Sequence, residues 1–96
     1  TIYLNAWQRK VETAGYYEIS RKDITQGNFK LQIRSIIDSM GNLIGADILK
    51  SSGNSSMDAL ALKILQQSAP FEPFPKDMAV NYKQLEIIRD WNFTNS

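Results

Sequence analysis

The chain has 96 residues, with eleven Lys and Arg against ten Asp and Glu and a formal charge of +1, which excludes a globally basic nucleic-acid-binding domain. It contains no His and no Cys, and therefore lacks the commonest general base, any thiol nucleophile, any disulfide and the usual zinc ligands. The length predicts a single domain over residues 1–96. No charge-free stretch exceeds eight residues, far below the roughly 20 of a membrane helix.

The chain begins with a predicted amphipathic helix. Apolar residues recur at spacings of three and four, a pattern typical of one buried helix face: Tyr3, Leu4, Trp7, Val11 and Ala14. Gly15 is placed to end this helix as a C-cap. Residues 16–26 are predicted to form a loop with a short helix.

A β-hairpin is predicted next, because the period of the apolar residues changes to two. Phe29, Leu31 and Ile33 alternate with polar residues from Asn28 onward, and this strand continues through Ile37. Residues 39–42 form a turn signal. The returning strand, residues 43–49, is predicted to present three apolar side chains to one side: Ile44, Ala46 and Ile48.

A second helix and a proline-rich segment follow. The polar connection over residues 51–56 ends in serines that can cap a helix, with Asp58 in its first turn, and the buried stripe is formed by Leu60, Ile64 and Leu65. Three prolines at positions 70, 73 and 75 then interleave with Phe71 and Phe74 and predict an extended segment. A recognition segment in polyproline conformation is the alternative, but packing of both phenylalanines on the core is favoured.

The third strand is predicted over residues 82–93, where Leu85, Ile87, Trp91 and Phe93 alternate with polar residues. A right-handed crossover through the second helix makes the second and third strands parallel and places the third beside the first. The prediction is an α+β fold, helix-strand-strand-helix-strand, with a three-stranded antiparallel or mixed sheet of order 2-1-3 and two helices on one face. The third strand is then a long edge strand with unpaired backbone groups.

Side-chain chemistry gives little support to catalysis or nucleic-acid binding. The run Lys50-Ser51-Ser52-Gly53 lacks the glycine spacing of a phosphate loop and is better explained as a helix-capping connection. Aspartates at turns, caps or polar strand faces are expected to be solvated carboxylates: Asp38, Asp47, Asp58, Asp77 and Asp90. Basic residues near Tyr16 and Tyr17 favour a solvated helix face over a stacking surface for nucleic acid.

The order of motifs resembles the C-terminal domain of TonB proteins over nearly the whole chain. The residues that carry this resemblance are Tyr3-Leu4, Trp7-Gln8-Arg9-Lys10-Val11-Glu12, Lys50-Ser51-Ser52-Gly53 with Asp58 and Ala61, Ala69-Pro70-Phe71-Glu72-Pro73-Phe74-Pro75, Leu85-Glu86-Ile87 and Trp91-Asn92-Phe93. The resemblance implies a non-enzymatic periplasmic binding domain without cofactor, metal, nucleic acid or small-molecule substrate. It also implies that an anchor in the bacterial inner membrane and a linker lie upstream of Thr1.

In the family, such a domain binds the TonB box of TonB-dependent outer-membrane transporters by strand addition. The N-terminal part of the protein binds ExbB and ExbD, and through them the proton-motive force drives uptake of siderophore-type nutrients. The resemblance assigns the contact to the predicted edge strand: Tyr82, Lys83, Gln84, Leu85, Glu86, Ile87, Ile88, Arg89, Asp90, Trp91, Asn92 and Phe93. It adds Tyr16 and Tyr17 in the loop after the first helix, where the family usually has Tyr-Pro and a longer loop. The alternative function is a TonB-like or TolA-like module of another envelope machine, which binds a different protein or pairs with itself into a homodimer.

Overall fold

The computed structural model describes the backbone of residues 2–20 and 27–95 and the side chains of residues 2–15 and 29–93. The elements are α1 (Ile2–Ser20), β1 (Gly27–Asp38), β2 (Leu43–Lys50), α2 (Ser55–Ser68), α3 (Lys76–Asn81) and β3 (Gln84–Asn95). The strands form one sheet of order β2-β1-β3, in which β1 is antiparallel to both neighbours. The predicted α+β class and strand order are confirmed. None of the described helices is both long enough and apolar enough to cross a membrane.

The core lies between the helices and one face of the sheet. Leu31, Ile33, Ser35 and Ile37 are buried on this face of β1, as the period of two predicts. The helices and the proline-rich segment supply the opposing side chains, namely Tyr3, Trp7, Val11, Met57, Leu60, Ala61, Ile64, Leu65, Phe71 and Phe74. Because β1 is the central strand, its apolar face organises the whole domain.

Helix α1 is longer than predicted, and the prediction that Gly15 ends it is wrong. The helix continues to Ser20, so Tyr16 and Tyr17 lie in α1 and not in a loop; residues 21–26 of the predicted loop lie outside the described residues. Gly15 is buried against Ile64 of α2. A helix-interior glycine costs only about 0.5–1 kcal/mol, which the packing of α1 on α2 offsets.

Two β-bulges change the faces of β2. The register pairs Ile36 with Gly45 but Ile37 with Leu43, which leaves Ile44 as an extra residue. Leu43, Ala46 and Ile48 therefore pack against the core, and Ile44 is 54% exposed. The prediction that Ile44 shares a face with Ala46 and Ile48 is wrong, because the bulge interrupts the alternation. A second irregularity places the exposed Leu49 between the partners of Gln32 and Ile33.

Helix α2 begins one residue after its cap, which is Asn54 and not one of the predicted serines. The Asn54 side-chain oxygen accepts hydrogen bonds from the backbone N–H groups of Ser56 at 2.9 Å and Met57 at 3.1 Å. Asp58 accepts hydrogen bonds from the Ser51 hydroxyl and from the Ser52 N–H at 2.9 Å. The polar connection is thus a helix-capping loop, as expected.

The proline-rich segment contacts both α1 and the hairpin turn. The predicted packing of its phenylalanines on the core is confirmed. The Phe71 N–H donates to Gly41 O at 2.7 Å, and the Phe74 N–H donates to Ser39 O at 2.8 Å. The Tyr3 ring meets Phe74 edge-on at 5.2 Å, and its hydroxyl donates to Glu72 O at 2.9 Å. Burial raises the pKa of Tyr3 above 10.0, so this hydroxyl remains a donor at neutral pH.

The short helix α3 was not predicted. It begins after Pro75, since a proline is tolerated at a helix N-terminus, where its missing N–H is not needed. Apart from the half-buried Met78, its residues are exposed. Tyr82 is the C-cap of α3, so the final strand begins at Gln84 and not at Tyr82.

Candidate functional site

The outer edge of β3 is one of the two edges of the sheet. All twelve residues of β3 pair with β1 in continuous register, from Gln84 opposite Asp38 to Asn95 opposite Gly27. No other described strand pairs with the opposite edge. In an antiparallel ladder every second residue directs its N–H and C=O away from its partner, so this edge presents a row of outward-directed donors and acceptors about 40 Å long at ~3.4 Å per residue.

This edge lacks two of the features that commonly prevent pairing with another chain, a proline and a bulge. β3 contains no proline and its pairing with β1 shows no bulge, and both features commonly protect edge strands. The opposite edge of the sheet differs, because β2 has eight residues and two register shifts. Of the two edges, β3 is therefore the one suited to accept an added strand.

The structure places the predicted edge residues in two groups. On the helix face lie Leu85, Ile87, Arg89, Trp91 and Phe93, opposite the core-facing residues of β1; on the open face lie Gln84, Glu86, Ile88, Asp90 and Asn92. Tyr82 and Lys83 precede the strand, and Lys83 O accepts a hydrogen bond from the Ser39 N–H at 3.1 Å. These two residues are therefore not part of the edge.

The open face of the sheet carries several polar side chains that pair with one another. The Arg34 guanidinium donates to Asp47 at 2.7 Å and lies 3.9 Å from the Glu86 carboxylate. The Gln32 amide donates to Asp90 at 3.1 Å. These contacts hold charged side chains of β2 and β3 to β1.

The acidic groups with shifted pKa values serve turns and caps. The Asn42 N–H, with further donors from the same turn, lowers the pKa of Asp38 below 3.8. The Ser51 hydroxyl, and then Ser52, lowers the pKa of Asp58 below 3.8. Among the described residues no group of three or more acidic side chains is arranged to hold a metal ion.

A groove that the sequence did not predict runs between α1 and the second half of β3. Its volume is about 390 Å³, and its lining combines Trp7, Gln8, Val11, Glu12 and Gly15 of α1, Ile64 of α2 and Arg89, Asp90, Trp91, Asn92 and Phe93 of β3. A signal was present in the sequence: Arg89 interrupts the apolar series from Leu85 to Phe93. A charged residue in that series indicates that the helix face of β3 is not fully covered there.

Trp7 is the one described residue with a buried side-chain polar atom that has no hydrogen-bond partner, its indole Nε1. The ring is only 4% exposed and contacts Phe71, with 6.2 Å between the centroids. An unsatisfied buried donor costs about 1–3 kcal/mol. The wall of the groove at Trp7 is therefore held by apolar packing and not by a hydrogen bond.

Together these features define a small α+β domain whose available surface is an open sheet edge beside an apolar groove. A scan against protein-family models matches residues 14–94 to the family described as Gram-negative bacterial TonB protein C-terminal. The chain therefore belongs to the TonB C-terminal family, which confirms the resemblance. Searches of curated proteins and of solved structures gave no significant match.

Membership of this family indicates the general function of the domain. Domains of this family are non-enzymatic binding domains of the periplasm of Gram-negative bacteria, and they interact with outer-membrane transporters. Most of β3 lies within the matched residues, whereas most of α1 lies before the first of them.

Proposed function

We propose that this chain is the periplasmic domain of a TonB-type energy transducer that binds the TonB box of an outer-membrane transporter as an added strand on β3. The observation that carries the proposal is the outer edge from Gln84 to Asn95, whose pairing with β1 is uninterrupted and whose strand contains no proline. Backbone hydrogen bonds supply affinity in this mode of recognition, and alternate side chains supply selectivity. No titratable group or thiol is required, in keeping with a chain that has no His and no Cys.

The wider assignment rests on family membership. In this proposal an upstream segment anchors the protein in the inner membrane, ExbB and ExbD bind that segment, and the proton-motive force they transmit drives uptake of siderophore-type nutrients. In this proposal Tyr16 and Tyr17, which belong to α1, also contact the transporter. Tyr17→Ala is expected to weaken binding to an intact transporter and to leave binding of an isolated TonB-box peptide unchanged.

The strand-addition mode is tested by titrating isotope-labelled protein with TonB-box peptides of transporters encoded by the same genome. Amide shifts are expected in residues 84–93 and not in residues 45–48 of β2, whose pairing with β1 is interrupted by bulges. Shifts confined to the helices, or no shift at millimolar peptide, would contradict the proposal.

A matched peptide pair separates backbone pairing from side-chain recognition. N-methylation at every second peptide residue removes donors on one edge of the added strand without changing any side chain. One of the two alternating N-methyl peptides is expected to lose binding and the other to keep it, because only one set faces β3. Equal affinity of both would show that backbone pairing is not the mode of binding.

The same edge supports a second candidate, a TonB-like or TolA-like module that pairs with another copy of itself. Two β3 strands can pair antiparallel about a two-fold axis, a self-complementary arrangement. Sedimentation of the free domain distinguishes the two, since a dimer that Ile88→Pro abolishes while circular dichroism is retained favours self-pairing. A monomer at all concentrations favours the transporter-binding domain.

A further inference from the structure

The groove between α1 and β3 is built like a side-chain pocket on the strand edge. Its floor is Ile64, which is 1% exposed, one wall is the face of α1 carrying Trp7 and Val11, and the other wall is β3. Its volume of about 390 Å³ falls in the range of ligand pockets, roughly 300–1,000 Å³. That space accommodates one or two large side chains.

The position of the groove relative to the edge determines what can enter it. β3 is the outermost strand, and the core closes the side toward β1, so the groove opens along the free edge. An added strand would lie about 4.8 Å beyond β3, with every second side chain on the helix face. At the level of Trp91 and Phe93 those side chains project over the mouth of the groove.

The aromatic residues of this face are incompletely covered in the free domain. Trp91 and Phe93 are both half-buried, with 6.3 Å between their ring centroids. Cross-strand contact between aromatic and aliphatic side chains on one face stabilises strand pairing. The open face of the same strand carries the polar residues Glu86, Asp90 and Asn92 and a single exposed aliphatic residue, Ile88, with no aromatic pair.

We infer that the groove receives large apolar side chains from alternate positions of the added strand, and that α1 thereby sets the specificity and register of the strand bound at β3. The occupant is an extended peptide with two apolar residues separated by one polar residue. This inference rests on the proposed strand addition and extends it to α1. Most of the groove-lining residues of α1 lie before residue 14, where the family match begins.

The chain carries its own reporters for this inference, because its two tryptophans both line the groove. With the TonB-box peptide that shifts the β3 amides, the indole N–H resonances of Trp7 and Trp91 are expected to shift as well. Alanine is then placed at the odd or at the even peptide positions. One series is expected to lose affinity by roughly 10- to 100-fold, the value for burying a large apolar side chain, and the other by less than about threefold.

A pair of protein variants tests the wall formed by α1. Gln8 and Asn5 are both exposed on α1, but only Gln8 lines the groove. Gln8→Phe fills the groove and is expected to weaken peptide binding at least about tenfold, whereas Asn5→Phe adds the same ring elsewhere on the helix and is expected to leave affinity unchanged. The loss in Gln8→Phe should be absent when the peptide already carries alanine at the groove positions, which a double-mutant cycle measures.

The outcomes separate this inference from the proposed function. Shifts in the β3 amides without indole shifts, or equal effects of Gln8→Phe and Asn5→Phe, would refute the role of the groove in peptide binding. Strand addition on β3 would be unaffected by that result. An absence of β3 amide shifts would overturn strand addition and the groove together. Equal losses from both alanine series would refute α1 as the source of specificity.

Discussion

Gly41 and Gly53 form a matched pair that tests how the proline-rich segment is fixed to the hairpin turn. Both have positive φ, +90° and +86°, where an L side chain costs about 1–2 kcal/mol. A Cβ at Gly41 would lie 2.1 Å from Phe71 O and 2.8 Å from its carbonyl carbon, whereas a Cβ at Gly53 would have no atom within 4 Å. The two alanine substitutions therefore introduce the same backbone strain, but only the one at Gly41 also introduces a steric clash with Phe71.

The magnitudes follow from these contacts. Gly53→Ala is expected to lower the free energy of unfolding by about 1 kcal/mol, since part of the strain is offset by the lower entropy of the unfolded chain. Gly41→Ala additionally displaces Phe71, with loss of its hydrogen bond to Gly41 O, about 1 kcal/mol, and of part of its ring burial, up to about 1.5–3 kcal/mol. A total of about 3–5 kcal/mol is a large share of the stability of such a domain.

Urea unfolding and thermal melts of both variants measure this difference. For a domain of this size about 1 kcal/mol shifts Tm by roughly 4–8 °C, so Gly53→Ala should lower Tm by about 5 °C and Gly41→Ala by at least about 15 °C. Equal losses of stability in the two variants would show that the close packing of Phe71 on the turn does not contribute to the free energy of unfolding.

Three further predictions concern the polar contacts. The pKa of Asp58 is lowered by the Ser51 hydroxyl, so the contribution of Asp58 to stability is present above the unfolded pKa near 3.8 and is lost as the pH falls below it. The difference in unfolding free energy between wild type and Asp58→Asn should therefore narrow below pH 4. A constant difference down to pH 2 would contradict this. Asn54→Ala should cost about 1 kcal/mol in urea unfolding and Asn54→Ser much less, while equal losses would argue against the cap. Arg34→Met should cost less than about 1 kcal/mol, because Arg34 and Asp47 are partly exposed, and the loss should shrink in 1 M salt; an undiminished loss would rule out an ionic origin.

The sheet was predictable because its central strand follows a simple rule. β1 alternates regularly and has one partner on each side, so Leu31, Ile33 and Ile37 indicated the core face directly. The faces of β2 were not predictable in the same way. A bulge at Ile44 depends on the register with β1, which local periodicity does not contain.

Helix ends were predicted less well, for a related reason. Gly15 carries a local signal for termination, but burial against Ile64 in a distant helix overrides it. Asn54 and the serines after it are all good caps, and local composition does not choose between adjacent positions. The groove needs both α1 and β3, and only the tertiary structure brings Trp7 and Trp91 to one surface.

The difference between the two sheet edges limits the assemblies this domain can form. On the β2 side the ladder is broken near both ends, at Ile44 and at Leu49, and such irregular edges resist pairing. A complex through β3 therefore uses up the one regular edge, whether the partner is a peptide or a second copy. Since the irregular β2 edge does not accept the β3 edge of another copy, head-to-tail addition of domains is disfavoured, and the domain is expected to form one-to-one complexes or two-fold dimers and not filaments.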